Sequence, residues 1–182
     1  MIIEIPNYVG ENVLNQVKES VKPFLPFAGP ATYRNGKTVS ISKTLGLEEV
    51  DGVLCNVFTD IQQNIVRKRF NPPPNRESGD SGYEYHLYSP NEICEMHSDY
   101  EFSSDEPESL LRYATVILHL NNVSSGGDMV FPAQHKRIKT EAGKVVIFPP
   151  YGMFPHYTTP SEEPREVVVT WFVYGDVFVK KK

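Results

Sequence analysis

The chain has 182 residues, enough for one domain, and its 40% hydrophobic and 12% aromatic content excludes disorder over most of its length. Lysine and arginine number 18 against 23 acidic residues, so the net charge is −5, and we expect no nucleic-acid partner. The 15 prolines favour strands and loops because proline breaks helix interiors. The short apolar N-terminal run lacks a basic segment, and no apolar window is long enough to span a membrane. We therefore expect a cytoplasmic monomer or homodimer with no membrane partner.

The first third of the chain has mainly helical periodicity. Residues 2–5 alternate and predict an edge strand, and apolar residues spaced one, three and four apart predict a helix from Asn7 to Pro23. A stronger apolar stripe predicts a second helix from Leu45 to Phe70, with a basic last turn that suits the helix dipole. A turn at Asn35-Gly36 and a short strand at Thr38–Ile41 are predicted between the two helices.

From Gly82 the hydrophobic period changes to two, which predicts strands separated by turns rich in glycine, proline, serine and asparagine. The predicted strands are Tyr83–Tyr88, Met96–Tyr100, Arg112–Leu120, Asp128–Phe131, Arg137–Thr140, Lys144–Phe148 and Val167–Tyr174, with Val177–Val179 as an extension of the last. Many short strands are typical of a β-sandwich or small barrel. We expect a mainly β single domain over residues 1–182, with a helical support region at 1–75 that buttresses a jelly-roll core at 80–179.

Three residues are candidate metal ligands. His97 and Asp99 lie two apart on a predicted strand, so their side chains share a face and could reach one metal ion; the alternative is a polar strand end facing solvent. His156 lies in an aromatic, proline-rich segment, as either a core histidine or a third ligand in an apolar cavity. Two histidines and a carboxylate on one face of the metal are the arrangement of non-haem Fe(II) oxygenases.

Two further polar residues lie on predicted strand faces. Arg165 shares a face with apolar residues that include Trp171, where an unpaired buried guanidinium would be costly. It either reaches solvent at the strand end or pairs with a buried anion, and its planar fork suits a carboxylate. His119 shares a face with Thr115 and is either a structural histidine or a hydrogen-bonding group for a small polar ligand.

The order of motifs in the second half of the chain resembles a known family. The motif residues are Tyr88, His97-x-Asp99, Arg112-x-Ala-Thr115, Leu120-Asn121, Gly126-Gly127-x-x-x-Phe131-Pro132, Gly143-x-x-x-x-Phe148, His156, Arg165 and Trp171. In this order and spacing, residues 80–175 resemble the prolyl-4-hydroxylase-like branch of the 2-oxoglutarate- and Fe(II)-dependent dioxygenases. The resemblance implies a double-stranded β-helix, which is the jelly-roll, cupin-like core of that family.

The resemblance also implies roles for these residues. His97, Asp99 and His156 would be the iron ligands and catalytic centre, and Arg165 would bind the distal carboxylate of 2-oxoglutarate. The other residues matched to the co-substrate pocket are Tyr88, Thr115, His119 and Trp171. Many relatives have tyrosine at the position of His119, so the hydrogen-bond donor differs here. Many also have glycine soon after the position of Tyr88, where this chain has Ser89-Pro90-Asn91, which alters the loop that leads to the metal ligands.

The implied activity is hydroxylation of an unactivated C–H bond with Fe(II), 2-oxoglutarate and O₂, releasing succinate and CO₂. Ascorbate is a candidate additional cofactor. The prime substrate stays open between a protein or peptide and a small molecule, with peptidyl proline as the family-level candidate. Two other classes stay open: a cupin-like metal enzyme that does not use 2-oxoglutarate, and a non-catalytic jelly-roll binding module. The position of Arg165 argues against the first, and the intact triad argues against the second.

Overall fold

The computed structural model describes residues 1–30, 36–70, 78–100 and 112–174. Within these ranges the strands are β1 (Ile3–Ile5), β2 (Gly29–Pro30), β3 (Lys37–Ser40), β4 (Ser78–Asp80), β5 (Glu84–Tyr88), β6 (Arg112–His119), β7 (Met129–Phe131), β8 (Lys136–Ile138), β9 (Val145–Phe148), β10 (Tyr157–Thr158) and β11 (Arg165–Tyr174). The helices are α1 (Glu11–Val21), α2 (Glu48–Ile61) and α3 (Arg67–Phe70), with a π-helical turn at Gln62–Val66 joining the last two. No helix in these ranges is long and apolar enough to cross a membrane.

The helices bury one apolar face each. In α1 the buried residues are Leu14, Val17 and Val21, and the helix gives way to a 3₁₀ segment at Lys22–Phe27, because its two prolines cannot continue an α-helix. Helix α2 begins with acidic residues in its first turn, where the helix dipole favours negative charge. Its buried residues are Val50, Leu54, Phe58 and Ile61.

Eight strands form one large antiparallel sheet in the order β1-β9-β6-β11-β5-β3-β2, with β4 also paired to β11. One face of this sheet packs on α1 and α2 and contributes Tyr85, Leu118, Val168 and Phe172 to their shared core. A second sheet, β10-β7-β8, lies over the opposite face, and the two sheets enclose a separate core. This two-sheet arrangement confirms the predicted mainly β fold with supporting helices.

The structure differs from the predicted elements in several places. The strands predicted at residues 2–5 and Thr38–Ile41 are present as β1 and β3, but a further strand, β2, pairs with β3 at the edge of the large sheet. The predicted strand Met96–Tyr100 is reduced to one bridge at His97, because its pairing with the chain around His156 does not extend into a ladder. Strands β2, β4 and β10 were not predicted, since their sequences, Gly-Pro, Ser-Gly-Asp and Tyr-Thr, carry no readable apolar alternation. The predicted extension Val177–Val179 lies outside the described residues.

Gly126 lies where the loop that precedes β7 contacts the loop that precedes β11. It has φ +73°, and a Cβ at this position would lie 2.0 Å from the carbonyl oxygen of Pro160, so no other residue fits. Next to it, Gly127 N donates to that same oxygen at 3.3 Å, and Asn91 N donates to Ser161 O at 2.7 Å. These contacts position the chain that leads into β11 at Arg165.

Candidate active site

Three side chains from two distant segments meet between the sheets. The candidate ligand atoms of His97, Asp99 and His156 all lie within 4.8 Å of one another. A backbone bridge joins the segments: His97 N donates to His156 O at 3.0 Å, and His156 N donates to His97 O at 2.9 Å. The two imidazole centroids are 4.3 Å apart, and His97 Nε2 lies 3.3 Å from Asp99 Oδ1. Backbone pairing therefore brings His156 to His97, and with it to Asp99, two residues further along the chain.

Backbone carbonyls orient both imidazoles. His97 Nδ1 donates to Glu95 O at 2.8 Å, and His156 Nδ1 donates to Phe154 O at 3.2 Å. A neutral imidazole carries one N–H, so a proton on Nδ1 leaves the lone pair on Nε2 for a metal ion. Two such nitrogens and one carboxylate are a donor set that fits Fe(II).

Electrostatics favour an ionised carboxylate at this point. Asp99 is 7% exposed, and burial alone would raise the pKa of its carboxyl. His156, His97 and the Thr115 hydroxyl, which donates to Asp99 Oδ2 at 2.7 Å, outweigh burial and lower that pKa below its usual range. Burial would also lower the pKa of His97, but hydrogen bonds to Asp99 and Cys94 raise it to about 10. Metal binding must therefore displace a proton from His97.

A pocket of about 330 Å³, part of it open to solvent, connects these three residues with Arg165. Arg165 is 4% exposed and lies opposite Tyr88 where β11 pairs with β5. Its Cζ is 5.1 Å from the Tyr88 ring centroid, and its Nε donates to Thr140 Oγ1 at 3.3 Å. Apolar residues, among them Ile117 and Val167, also line this pocket. A cation at one end and metal-binding atoms at the other suit a small dicarboxylate.

His119 is fully buried on β6, opposite Val167 of β11, and so lies on the pocket side of the large sheet. Neither of its ring nitrogens has a hydrogen-bond partner among the described residues. Burial, Arg165 and Lys144 together hold the pKa of His119 well below its ordinary value, so the imidazole is neutral. A neutral imidazole can donate one hydrogen bond, and leaving that donor unsatisfied costs about 1–3 kcal/mol. An anion bound beside Arg165 would accept this hydrogen bond.

Thr115 and Trp171 lie opposite each other on β6 and β11. The hydroxyl of Thr115 binds Asp99, so this residue supports a candidate ligand. Trp171 is 6% exposed, and the Arg112 guanidinium lies over its ring, with Cζ 4.1 Å from the centroid. Arg112 Nη1 also donates to Asp99 O at 2.9 Å. Arg112, a motif residue without a predicted role, thus connects Trp171 to the segment that carries the ligands.

Two other pocket residues had no predicted role. His86 lies two residues before Tyr88 on β5, and the same alternation that places Tyr88 on the inner face could have identified it. Cys94 is a buried cysteine outside any disulfide, with Sγ 3.5 Å from His97 Nδ1. It precedes the bridge in irregular chain, where no periodicity indicates which way a side chain points.

The fold is shared with several solved prolyl hydroxylases. One is the viral collagen prolyl hydroxylase of Paramecium bursaria Chlorella virus-1 in its 2-oxoglutarate complex, with 16% identity, a TM-score of 0.73 and 96% of each chain covered. Another is a prolyl-4-hydroxylase of Pseudomonas putida, with 17% identity, a TM-score of 0.68, and 94% of this chain and 91% of that chain covered. A third, with 15% identity and a TM-score of 0.68, is a Trichoplax adhaerens prolyl hydroxylase in complex with a hypoxia-inducible factor peptide fragment; 94% of this chain and 83% of that chain are covered. At such identities the likeness shows the jelly-roll fold.

The fold and the pocket define a metal-dependent oxygenase of the jelly-roll type. Residues 83–173, half of the chain, match the family model of the 2OG-Fe(II) oxygenase superfamily, and this protein belongs to that superfamily. Membership implies Fe(II), 2-oxoglutarate and O₂ as its cofactor and co-substrates. The predicted family and enzyme class are thereby confirmed, and a non-catalytic binding module is disfavoured. No curated protein sequence matches the chain.

Proposed function

We propose that this oxygenase is a hydroxylase in which His97, Asp99 and His156 hold Fe(II), and Arg165 anchors the distal carboxylate of 2-oxoglutarate. The observation that carries the proposal is that these four residues line one pocket. A candidate metal site at one end and a buried guanidinium at the other are the two attachments that a 2-oxo diacid needs.

The chain's own residues supply geometry and charge. Asp99 stays ionised because His97, His156 and Thr115 surround it, and the carbonyls of Glu95 and Phe154 hold the imidazoles in the ligating orientation. When bound, Fe(II) and 2-oxoglutarate supply the oxidative decarboxylation that activates O₂, with one oxygen atom entering succinate and the other the product.

At the distal end, Arg165 offers a planar fork with parallel N–H donors for a carboxylate. His119 adds a neutral donor from the adjacent strand, and Tyr88 covers the guanidinium from the other side. Because Arg165 and His119 are almost completely buried, their hydrogen bonds to a ligand would be little screened by water.

For the prime substrate we propose a prolyl peptide. The solved neighbours include prolyl hydroxylases, and one of them is bound to a peptide fragment. In this chain Tyr100, next to Asp99, packs edge to face on Tyr151 at 5.8 Å, and Tyr151 is 44% exposed. Exposed aromatic rings are the surfaces that bind proline-rich segments in the polyproline II conformation. Incubation with a proline-rich peptide should add one oxygen atom at proline, detected by mass spectrometry.

The test of the hydroxylase proposal is succinate production from 2-oxoglutarate in air, measured with Fe(II), without it, and with chelator. The wild type should form succinate only with Fe(II), and His156→Ala should reduce this to background, because the metal loses one of three protein ligands. His135→Asn is the matched control, since His135 is an exposed loop residue with φ +51°, a conformation that asparagine tolerates, and this variant should keep full activity. Fe(II) binding without any 2-oxoglutarate binding would contradict the proposal and favour a cupin-like enzyme.

A further inference from the structure

His86 lines the pocket, and the family resemblance assigns it no role. His86 is 1% exposed, lies on β5 and lines the pocket together with Arg165 and the candidate metal ligands. Its Nε2 lies 3.0 Å from Glu84 Oε2, a distance at which the imidazole N–H donates to the carboxylate. Burial and this hydrogen bond hold the ring against the pocket, because rotating it away would break the bond to Glu84.

The strand register sets the level of His86 within the pocket. Tyr88 pairs with Arg165 at the start of β11, and His86 pairs with Val167, one step closer to the middle of the sheet on the same face. His86 and Val167 both line the pocket that holds the candidate metal ligands and Arg165. We expect them to contact the middle of a dicarboxylic acid that joins those two attachments, where the acid has only methylene groups.

We propose that His86, held by Glu84, limits the length of the 2-oxo acid that the pocket accepts, and so selects 2-oxoglutarate over the six-carbon 2-oxoadipate. This inference rests on the proposed function. One more methylene lengthens an acid by about 1.3 Å, the projection of a 1.5 Å C–C bond. Both ends are fixed, one at the bridged ligand segments and the other at the buried Arg165, so the longer acid must bow sideways. Val167 and the anchored imidazole occupy that space.

The experiment is a calorimetric titration of each acid into Mn²⁺-loaded protein without oxygen, so that binding is measured without turnover. The wild type should bind 2-oxoglutarate at least about tenfold more tightly than 2-oxoadipate, the low end of discrimination by one methylene. In His86→Ala the ratio should fall to about threefold or less, chiefly through tighter binding of 2-oxoadipate. Glu84→Ala, which releases the ring, should give an intermediate ratio, while Glu84→Gln should keep the wild-type ratio because the amide oxygen still accepts the N–H.

His135→Asn, on an exposed loop, is the matched control and should leave both affinities unchanged, because asparagine tolerates the left-handed backbone at this position. If His86→Ala does not fold, His86→Val replaces it, because valine is smaller than histidine and suits a strand. A folded variant at position 86 with an unchanged ratio would overturn the inference, including the case in which both acids weaken equally, as a purely structural role predicts. If the wild type binds neither acid, the proposed function fails instead, so the two failures are distinguishable.

Discussion

Replacing Arg165 with alanine tests the co-substrate site directly. The guanidinium is 4% exposed, so a carboxylate bound to it would be little screened by water. Arg165→Ala removes a charge-assisted contact and leaves that carboxylate with only neutral donors in a buried pocket, which costs about 2–4 kcal/mol. This corresponds to about 30- to 700-fold weaker binding of 2-oxoglutarate, at 1.4 kcal/mol per tenfold.

The assay is an anaerobic titration of 2-oxoglutarate into Mn²⁺-loaded wild type and variant. Metal affinity should be unchanged within about threefold, because Arg165 is not among the clustered metal-binding residues and lies at the other end of the pocket. Arg137→Ala is the matched control: the Arg137 side chain is 59% exposed, and its ion pair with Asp128 lies at the surface. Equal 2-oxoglutarate affinities in wild type and Arg165→Ala would refute the assignment.

Four further predictions concern the metal site and the fold. Thr115→Val, nearly isosteric, removes the donor to Asp99 Oδ2 and should weaken metal binding about tenfold or more in a chelator competition. Metal binding should strengthen as pH rises from 6 to 8, by up to about tenfold per pH unit, because the raised pKa of His97, about 10, keeps a proton that the metal must displace. Stability of the metal-free protein should show the opposite sign: the His97 contribution is complete below pH about 6.5 and is lost as pH rises through about 10, which chemical denaturation at several pH values would reveal. Gly126→Ala forces a Cβ against Pro160 O at positive φ and should cost more than about 1 kcal/mol, lowering the melting temperature by at least about 2 °C.

Much of the fold could be predicted because the spacing of apolar residues along a segment differs between helices and strands. The change from helical to alternating period near Gly82 correctly separated the two main helices from most of the strands. The alternation in Lys144–Phe148 and Arg112–Leu120 predicted β9 and β6 to within one residue at each end. Strand β10 was not predicted because it has only two residues. It is a strand only through its pairing with β7, almost 30 residues earlier in the chain.

The site illustrates the same limit. Alternation correctly placed His97 beside Asp99, since it depends only on neighbours along the chain. The approach of His156 depends on a backbone bridge across 59 positions, which no local pattern reveals. The residues alone left His156 open as a core histidine or a third ligand, and the family resemblance favoured the ligand. His86 is the reverse case: its alternation with Tyr88 was readable, but its hydrogen bond to Glu84 and its level opposite Val167 depend on the register of β5 against β11.

The inner face of the large sheet carries polar side chains where strands usually bury apolar ones. Some of these side chains are hydrogen-bonded within the protein, and one is not. Thr115 and His86 each bind a neighbouring carboxylate, so they shape the pocket in the free protein. His119 lies in the same layer, fully buried, with both ring nitrogens unsatisfied among the described residues. An unsatisfied buried donor costs about 1–3 kcal/mol, and a ligand carboxylate that accepts a hydrogen bond from this N–H recovers part of that cost on binding. The unsatisfied N–H of His119 therefore indicates where a negatively charged group of the ligand would bind. His119 lies next to Arg165, where the co-substrate carboxylate is proposed to bind.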